Sequence, residues 1–213
     1  MIRAIAFDFD GVILESAQIK TQAFKELFSK YPEKVDEIVQ YHRAHEGVSR
    51  YRKFRHIYEN ILGAEYTEAA GKKLGEEFSA LVYEKVLDAP FVKGASAFLE
   101  RHHAEYLMFI ASGTPAEELA DIVRARGIAR YFRGVYGSPT LKSGALRDIM
   151  ERHALSGEEV VFVGDAAADR DAARDTGVHF IARVAHIGCT LKDERHKIND
   201  LDGLMGHIDR LGR

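Results

Sequence analysis

The chain has 213 residues, of which 46% are apolar and 30% are charged. This is the composition of a folded globular protein, and the length predicts one domain with an insert or two small domains. The 30 Lys and Arg residues against 33 Asp and Glu residues give a net charge of -3. A chain so close to neutral is not expected to be a general nucleic-acid or membrane-surface binder.

The single cysteine, Cys189, excludes an intramolecular disulfide and a zinc site built from several thiolates. No base stands beside it in the sequence, so a nucleophilic thiol is not expected. No apolar run approaches the roughly 20 residues that a membrane span needs. Asp8 and Asp10 interrupt the only early apolar stretch, so the N-terminus does not resemble a signal peptide. We therefore expect a cytoplasmic protein.

Short apolar runs that stop abruptly at polar residues predict the strands. Three clear runs cover residues 1–7, 106–111 and 160–163, and two weaker ones cover 135–136 and 178–181. Their length and their β-branched and aromatic content are typical of buried strands in a parallel sheet.

Helices are predicted between these strands. Thr114 is expected to be an N-cap, with Pro115 at the first helical position, Glu117 closing a capping box and Gly127 ending the helix. A second helix is expected over residues 169–176, ending before Gly177. The alternation of strands and helices predicts an α/β fold with right-handed crossovers.

Residues 15–88 contain no convincing strand, but apolar residues recur there at helical spacing. About seventy residues are too many for one crossover helix, so this segment is predicted to be an inserted helical cap domain. The core domain would then comprise residues 1–14 and 89–213, with 88–90 as the return hinge.

Polar side chains follow the three clear strands. They are Asp8 and Asp10 after the first, Ser112 and Gly113 after the second, and Asp165 with Asp169 after the third. The carboxyl ends of parallel strands meet at one edge of a sheet, so these groups should share one crevice. Two carboxylates about 4 Å apart repel by about 4 kcal/mol at an effective dielectric near 20. A hard cation held by carboxylates, Mg²⁺, would offset that repulsion.

The same crevice offers groups that suit a phosphate. Ser112 has a hydroxyl, Gly113 an unhindered backbone N–H, and the following helix points its positive end there. Lys142, in a loop before another helix, could add a point charge. These groups predict a phosphoryl-transfer site, in which one of Asp8 and Asp10 is the nucleophile and the other is the acid and base.

The motifs that carry this chemistry resemble those of the haloacid-dehalogenase-like (HAD) superfamily. Residues 8–12 (Asp-Phe-Asp-Gly-Val) are similar to its first motif, Ser112 to its second, Lys142 to its third and residues 164–173 to its fourth. A helical insert directly after the first motif resembles the subfamily with a small α-helical cap. That subfamily includes phosphoglycolate phosphatases, sugar-phosphate phosphatases and β-phosphoglucomutase.

The resemblance implies a Rossmann-like parallel sheet flanked by helices, and it implies a role for each motif residue. Asp8 would be the nucleophile that becomes aspartyl-phosphate. Asp10 would be the general acid and base and would lend its carbonyl to Mg²⁺. Asp165 would be a metal ligand, and Asp169 would support the outer shell of the metal or Lys142. The resemblance thus places Asp8, Asp10, Asp165 and Asp169 around the metal.

Some positions depart from the family pattern. The third motif is Lys142-Ser143 rather than Lys-Pro, and Ala166 replaces a frequent serine. The cap sequence 47–50 (Gly-Val-Ser-Arg) resembles that of the mutases, but Lys20 stands where they have a histidine. Within a basic cluster of the cap, we expect Arg50 to reach the leaving group of the substrate when the cap closes.

These observations predict a Mg²⁺-dependent phosphatase for a small phosphorylated metabolite of the sugar-phosphate or phosphoglycolate type. No nucleic-acid or membrane partner is expected, and the protein should be a monomer or a small homo-oligomer. Three alternatives remain open: a phosphomutase, a phosphonatase with Lys20 or Lys53 as the Schiff-base lysine, and a non-catalytic protein that binds a phosphorylated ligand.

Overall fold

The computed structural model describes residues 1–185 and 190–211 of the chain. Cys189 lies outside these residues, so the expectation that its thiol is not a nucleophile stays a prediction. Among the helices of the described residues, none is long and apolar enough to cross a membrane.

A parallel sheet forms the centre of the molecule. Its described strands are β1 (Ala4–Phe7), β2 (Leu107–Pro115), β3 (Gly134–Ser138), β4 (Val160–Gly164), β5 (His179–Arg183) and β6 (Lys197–Ile198). They lie in the order β3-β2-β1-β4-β5-β6, and all the described pairings are parallel. All five predicted strands are present, and the predicted α/β, Rossmann-like fold is confirmed. The short β6 was not predicted.

Helices connect the strands and cover both faces of the sheet. The described α-helices are α1 (Ala17–Leu27), α2 (Val35–Ala44), α3 (Arg50–His56), α4 (Glu68–Asp88), α5 (Ala95–His102), α6 (Ala116–Ala125), α7 (Lys142–His153), α8 (Ala167–Thr176) and α9 (Leu204–Leu211). Successive side chains of a strand point to opposite faces. Ile5 and Phe7 of β1 therefore pack in the apolar cluster that includes α5, α6 and α9, whereas Ala4 and Ala6 pack in the cluster with α7 and α8.

The register of the central strands brings the predicted site residues to one edge. Phe7, the last residue of β1, is paired with Ile110 of β2 and Val163 of β4. One residue further on, the Asp8 N–H donates to the Val163 carbonyl at 2.8 Å. The polar residues that follow on the neighbouring strands are Ser112 and Asp165.

The segment 15–88, called the cap below, is helical. It contains α1 to α4 and a π-helix over Ile57–Ile61, and none of its residues is in a strand. Its core is aromatic: Phe24 lies 5.0 Å from Phe78 and 5.7 Å from Phe54, measured between ring centroids. Burying such rings stabilises the cap, because each removes a large apolar area from water.

The two chain connections between the cap and the sheet pair with each other. The Glu15 N–H donates to the Pro90 carbonyl at 2.9 Å, and the Val92 N–H donates to the Ile13 carbonyl at 3.0 Å. The connections therefore leave the sheet side by side, next to Asp8 and Asp10, so a movement of the cap would pivot beside the site.

The predicted capping box at the start of α6 is wrong. Strand β2 continues through Thr114 to Pro115, and Pro115 is the N-cap residue, with no side-chain capping bond. The Thr114 hydroxyl is instead hydrogen-bonded to the side chains of Asp10 and Lys20. Asp10 and Lys20, which are distant in sequence, thus bind the Thr114 hydroxyl that the local sequence predicted to cap the helix.

Candidate active site

Asp8 lies at the bottom of a crevice between the sheet and the cap. Its carboxylate is buried, and Oδ1 accepts a hydrogen bond from the Phe9 N–H at 2.7 Å. Oδ2 lies 3.0 Å from Nζ of Lys142. The carboxylate is therefore held in one orientation by a backbone amide and a cation, as a nucleophile must be to attack along a fixed line.

Lys142, the first residue of α7, is bound by two carboxylates. Its ammonium group forms ion pairs with Asp8 and with Asp169. The second oxygen of Asp169 accepts a hydrogen bond from the Ala166 N–H at 3.0 Å, so both of its oxygens are used. Burial acts to lower the pKa of Lys142, but the carboxylates of Asp169 and Asp8 raise it by more than burial lowers it. The pKa of Lys142 therefore lies above its usual value, and the ammonium group stays charged.

The carboxylate of Asp8 lies close to two other carboxylates. Among the described residues, Asp8, Asp165 and Asp169 each place an oxygen within 4.8 Å of the others. Burial raises the pKa of Asp8 to about 7; Lys142 opposes this shift, and the charges of Asp169 and Asp10 add to it. Burial and the charge of Asp8 likewise raise the pKa of Asp165. The cationic groups of the protein therefore compensate the negative charge of this carboxylate cluster only in part.

This donor set fits a hard divalent cation. Oxygen ligands from one or two carboxylates are typical of Mg²⁺. Asp8 and Asp165 are the residues that would hold it, because both oxygens of Asp169 are already bound to Lys142 and Ala166. Gly11 supports this arrangement: its φ is +77°, and a Cβ there would overlap the Asp165 carboxylate. Mg²⁺ as the cofactor, and the metal roles of Asp8, Asp10, Asp165 and Asp169, stay predictions.

Asp10 is held apart from this cluster, on the side of the cap. Its carboxylate accepts hydrogen bonds from Ser16 at 2.6 Å, from Thr114 at 3.1 Å and from Lys20, with which it forms an ion pair. Burial acts to raise the pKa of Asp10, but Lys20 and the hydrogen bonds hold it below its usual value. Asp8 and Asp10 thus have different environments: Asp8 faces the acidic cluster and Lys142, whereas Lys20 and the hydrogen bonds hold Asp10 as a carboxylate.

Ser112 and Gly113 form the wall opposite Asp165. Ser112 is buried, and its hydroxyl accepts a hydrogen bond from the Thr114 N–H at 3.2 Å. A Cβ on Gly113 would lie 2.7 Å from the Gly47 carbonyl of the cap, so only glycine allows the cap to approach this closely. The phosphate contacts predicted for both residues stay predictions.

Arg50 lies in the same crevice but is bound to protein groups. Its guanidinium donates to Ser79 at 2.8 Å and forms an ion pair with Glu118 of α6, and the Ser79 hydroxyl donates to Glu118 at 2.5 Å. The network joins the cap to the sheet domain and is almost fully buried, with the Arg50 side chain 4% exposed. The predicted contact of Arg50 with the leaving group stays a prediction.

A cavity of about 60 Å³ lies between these groups. This exceeds the roughly 10–15 Å³ that a cavity needs to hold one water molecule, so the cavity can contain water. The lining also includes four cap side chains that the sequence analysis did not place in the site. They are Phe24, His42, Glu46 and Phe78. Thr114 and Ser16 were also missed as partners of Asp10. The only signal for them was proximity to the motifs, two residues after Ser112 and six after Asp10.

Comparisons with known proteins agree with this architecture. Over 189 residues, the chain is 30% identical to a phosphoglycolate phosphatase of Vibrio parahaemolyticus, covering 83% of this chain and 81% of that protein. It is 23% identical over 190 residues to a phosphorylated carbohydrates phosphatase of Thermotoga maritima, covering 87% and 86%. The match to a phosphoglycolate phosphatase of Vibrio cholerae, at 28% identity, spans 59% of this chain and half of that protein.

Solved structures share the fold. A β-phosphoglucomutase from Clostridium difficile superposes with a TM-score of 0.78 at 17% identity, covering 100% of both chains. A haloacid dehalogenase-like family protein from Streptococcus pneumoniae gives 0.72 at 18% identity, covering 97% and 98%. The family model of haloacid dehalogenase-like hydrolases matches residues 2–177. The predictions of the family and of an enzyme are thereby confirmed, and the chain belongs to the haloacid dehalogenase-like hydrolases.

Proposed function

We propose that this hydrolase is a Mg²⁺-dependent phosphatase that acts on a small phosphorylated metabolite through an aspartyl-phosphate on Asp8. The observation that carries the proposal is the division of labour between two aspartates. Asp8 is oriented by Phe9 and Lys142 beside the acidic cluster, whereas Asp10 is held on the cap side by Ser16, Thr114 and Lys20.

In the first step, an Asp8 oxygen forms a bond to phosphorus as the bond from phosphorus to the leaving oxygen breaks. In the substrate-free protein Lys20 favours the carboxylate form of Asp10, so Asp10 must first take up a proton from solvent; it then gives this proton to the leaving alkoxide. In the second step, Asp10 takes a proton from water as the water oxygen attacks phosphorus, which releases inorganic phosphate and restores Asp8. Mg²⁺, when bound, would supply positive charge to the phosphoryl oxygens. Lys142 adds a fixed cation, and Ser112 and Gly113 add hydrogen-bond donors.

The names of two relatives support the substrate class, since one acts on phosphoglycolate and another on phosphorylated carbohydrates. The cavity that Asp8 lines measures about 60 Å³, and a second cavity of about 480 Å³ adjoins it at Gly47, Ser112 and Gly113. The cap would exclude bulk water while the leaving group departs.

The test is phosphate release from phosphosugars, phosphoglycolate and nucleotides, with Mg²⁺ or with a chelator. Asp8→Asn should lower the rate at least about a thousandfold, as loss of a covalent nucleophile does elsewhere. Asp121→Asn is the matched control, because Asp121 is exposed on α6 and far from the reaction. Rates that persist in Asp8→Asn or under full chelation would refute the mechanism.

The same assays separate the alternative functions. A phosphomutase would produce an isomerised sugar phosphate and little free phosphate. A protein that only binds phosphorylated ligands would release no phosphate from any ester. Acid quenching of the wild-type reaction should trap phosphoprotein at Asp8 in the phosphatase.

A further inference from the structure

Three cations of the cap line the cavity: Lys20, Arg50 and Lys53. Two of them are neutralised by carboxylates of the sheet domain. Lys20 pairs with Asp10, and Arg50 pairs with Glu118. The third has a different environment, and the mechanism of phosphate release gives it no role.

Lys53 is buried in the roof of the cavity. Its side chain comes from α3 and is nearly inaccessible to solvent, with 4% of the residue exposed. Its ammonium nitrogen lies 3.1 Å from Nδ1 of His42 and 4.9 Å from the ring centroid of Phe24. These partners are an imidazole and an aromatic face, so neither carries a negative charge.

The hydrogen bonds around His42 fix its tautomer. The Thr21 hydroxyl donates to the Ala17 carbonyl at 3.3 Å, so it accepts from His42 Nε2 at 3.2 Å. Nδ1 therefore has a free lone pair and accepts from Lys53. Burial and then the charge of Lys53 lower the pKa of His42 to about 2, so the imidazole stays neutral. This bond uses one of the three N–H donors of the ammonium group and leaves two.

A buried ammonium group without a matching negative charge is costly, and an anion in the cavity would offset that cost. Burial and then the charge of Lys20 lower the pKa of Lys53 to about 7; Glu46 and Asp10 act in the opposite direction without restoring its usual value. Within the described part of the chain, the charges of Glu46 and Asp10 therefore compensate that of Lys53 only in part.

The geometry points to Lys53 as the residue that binds a carboxylate on the leaving group of the substrate, so that the enzyme prefers phosphate esters of small hydroxy acids. This inference rests on the proposed function, which places the transferred phosphate at Asp8. Asp8 and Asp165 line the sheet side of the cavity, so the cap side is left for the rest of the substrate. The two remaining N–H donors of the Lys53 ammonium group can serve the two oxygens of a carboxylate.

The first experiment uses the wild-type enzyme with matched esters. 2-Phosphoglycolate and ethyl phosphate have the same number of carbons, but only the first carries a carboxylate. We expect kcat/KM to be about 10- to 100-fold higher for 2-phosphoglycolate, the effect of one hydrogen-bonded charge pair. Equal values would overturn the inference, and a preference for the bisphosphate of ethylene glycol over 2-phosphoglycolate would overturn the choice of a carboxylate.

The second experiment assigns the preference to Lys53. Lys53→Met should remove it by raising KM for 2-phosphoglycolate while changing kcat/KM for ethyl phosphate less than about threefold. Lys53→Arg keeps the charge and should keep most of the preference. Lys73→Met, at an exposed lysine of α4, is the matched control and should change neither ester. Equal losses on both esters in a folded Lys53→Met would show a merely structural role and refute the inference.

Two further outcomes are distinguishable. If borohydride and an aldehyde substrate inactivate the wild type but not Lys53→Arg, Lys53 is a Schiff-base amine and the carboxylate role is wrong. If no ester is hydrolysed, the proposed function fails. The inference about Lys53 is then decided by whether 2-phosphoglycolate raises the melting temperature of the wild type more than that of Lys53→Met.

Discussion

The contribution of Asp8 to the stability of the metal-free protein should fall as the pH rises through the range in which Asp8 titrates. Burial, reinforced by the charges of Asp169 and Asp10, raises the pKa of Asp8 from its ordinary value of 3.8 to about 7 in the folded protein. Between these two values the folded state binds a proton that the unfolded state has released. Stability from that proton is therefore complete below pH 3.8 and lost above pH 7.

The size of the effect follows from the two pKa values. A difference of about 3 in pKa corresponds to about 4 kcal/mol, at 1.36 kcal/mol for each pKa unit. The raised pKa of Asp165 adds a contribution of the same sign. His42 and Lys53, whose pKa values are lowered by burial, contribute with the opposite sign in the same pH range, so the quantity to measure is the difference between the wild type and Asp8→Asn. Relative to Asp8→Asn in a chelator, we expect the free energy of unfolding of the wild type, measured by urea titration, to fall by a few kcal/mol between pH 5 and pH 8, because the variant has no such proton to lose.

Mg²⁺ should reverse this loss. A cation that binds between Asp8 and Asp165 replaces the proton, and a ligand at 100 times its Kd stabilises the folded state by about 2.7 kcal/mol. The increment should be large at pH 8, where Asp8 is charged, and small at pH 5, where protons compete. An equal Mg²⁺ increment at both pH values, or an equal pH slope in Asp8→Asn, would refute the assignment of the metal to this carboxylate pair.

Two other predictions concern the closure of the cap and the loop after β1. Arg50→Met and Glu118→Gln should each lower the free energy of unfolding in urea by about 3–5 kcal/mol, because each leaves a buried charge unpaired. The double variant should lower it by less than the sum of the two single effects. Additive effects would contradict a buried ion pair between these residues. Unchanged KM and kcat in Arg50→Ala would exclude its predicted substrate contact. Gly11→Ala should lower kcat at least about 100-fold by displacing Asp165, whereas Gly127→Ala, also at positive φ but with open space around it, should leave kcat unchanged.

The sequence predicts the sheet side of the site because that side depends on local rules. Strands that stop at Asp8, Ser112 and Asp165 bring these residues to one edge whatever the details of packing, since parallel strands end together. The position of Asp169 also follows from local rules, because the turn that starts α8 fixes it relative to Asp165. The ion pair between Asp169 and Lys142 then requires only that α7 begin near the same edge of the sheet.

The cap side could not be predicted in the same way. Helical periodicity indicates which face of α1 or α3 is buried, but it does not say which charged residue of that face reaches the cavity. Lys53 and His42 meet across two helices, and Arg50 meets Glu118 from 68 residues away. Thr114 shows the converse, because a strong local capping signal is overridden by the carboxylate of Asp10.

The ion pairs between cap and sheet connect the position of the cap to the chemistry. Lys20 and Arg50 are cap residues, whereas Asp10 and Glu118 belong to the sheet side, so opening the cap would separate both pairs at once. Asp10 would then lose the partner that orients its carboxylate and holds its pKa down. In the proposed mechanism, the Asp10 carboxylate is therefore oriented only while the cap is closed, and Lys20 is the cap residue that connects its position to closure.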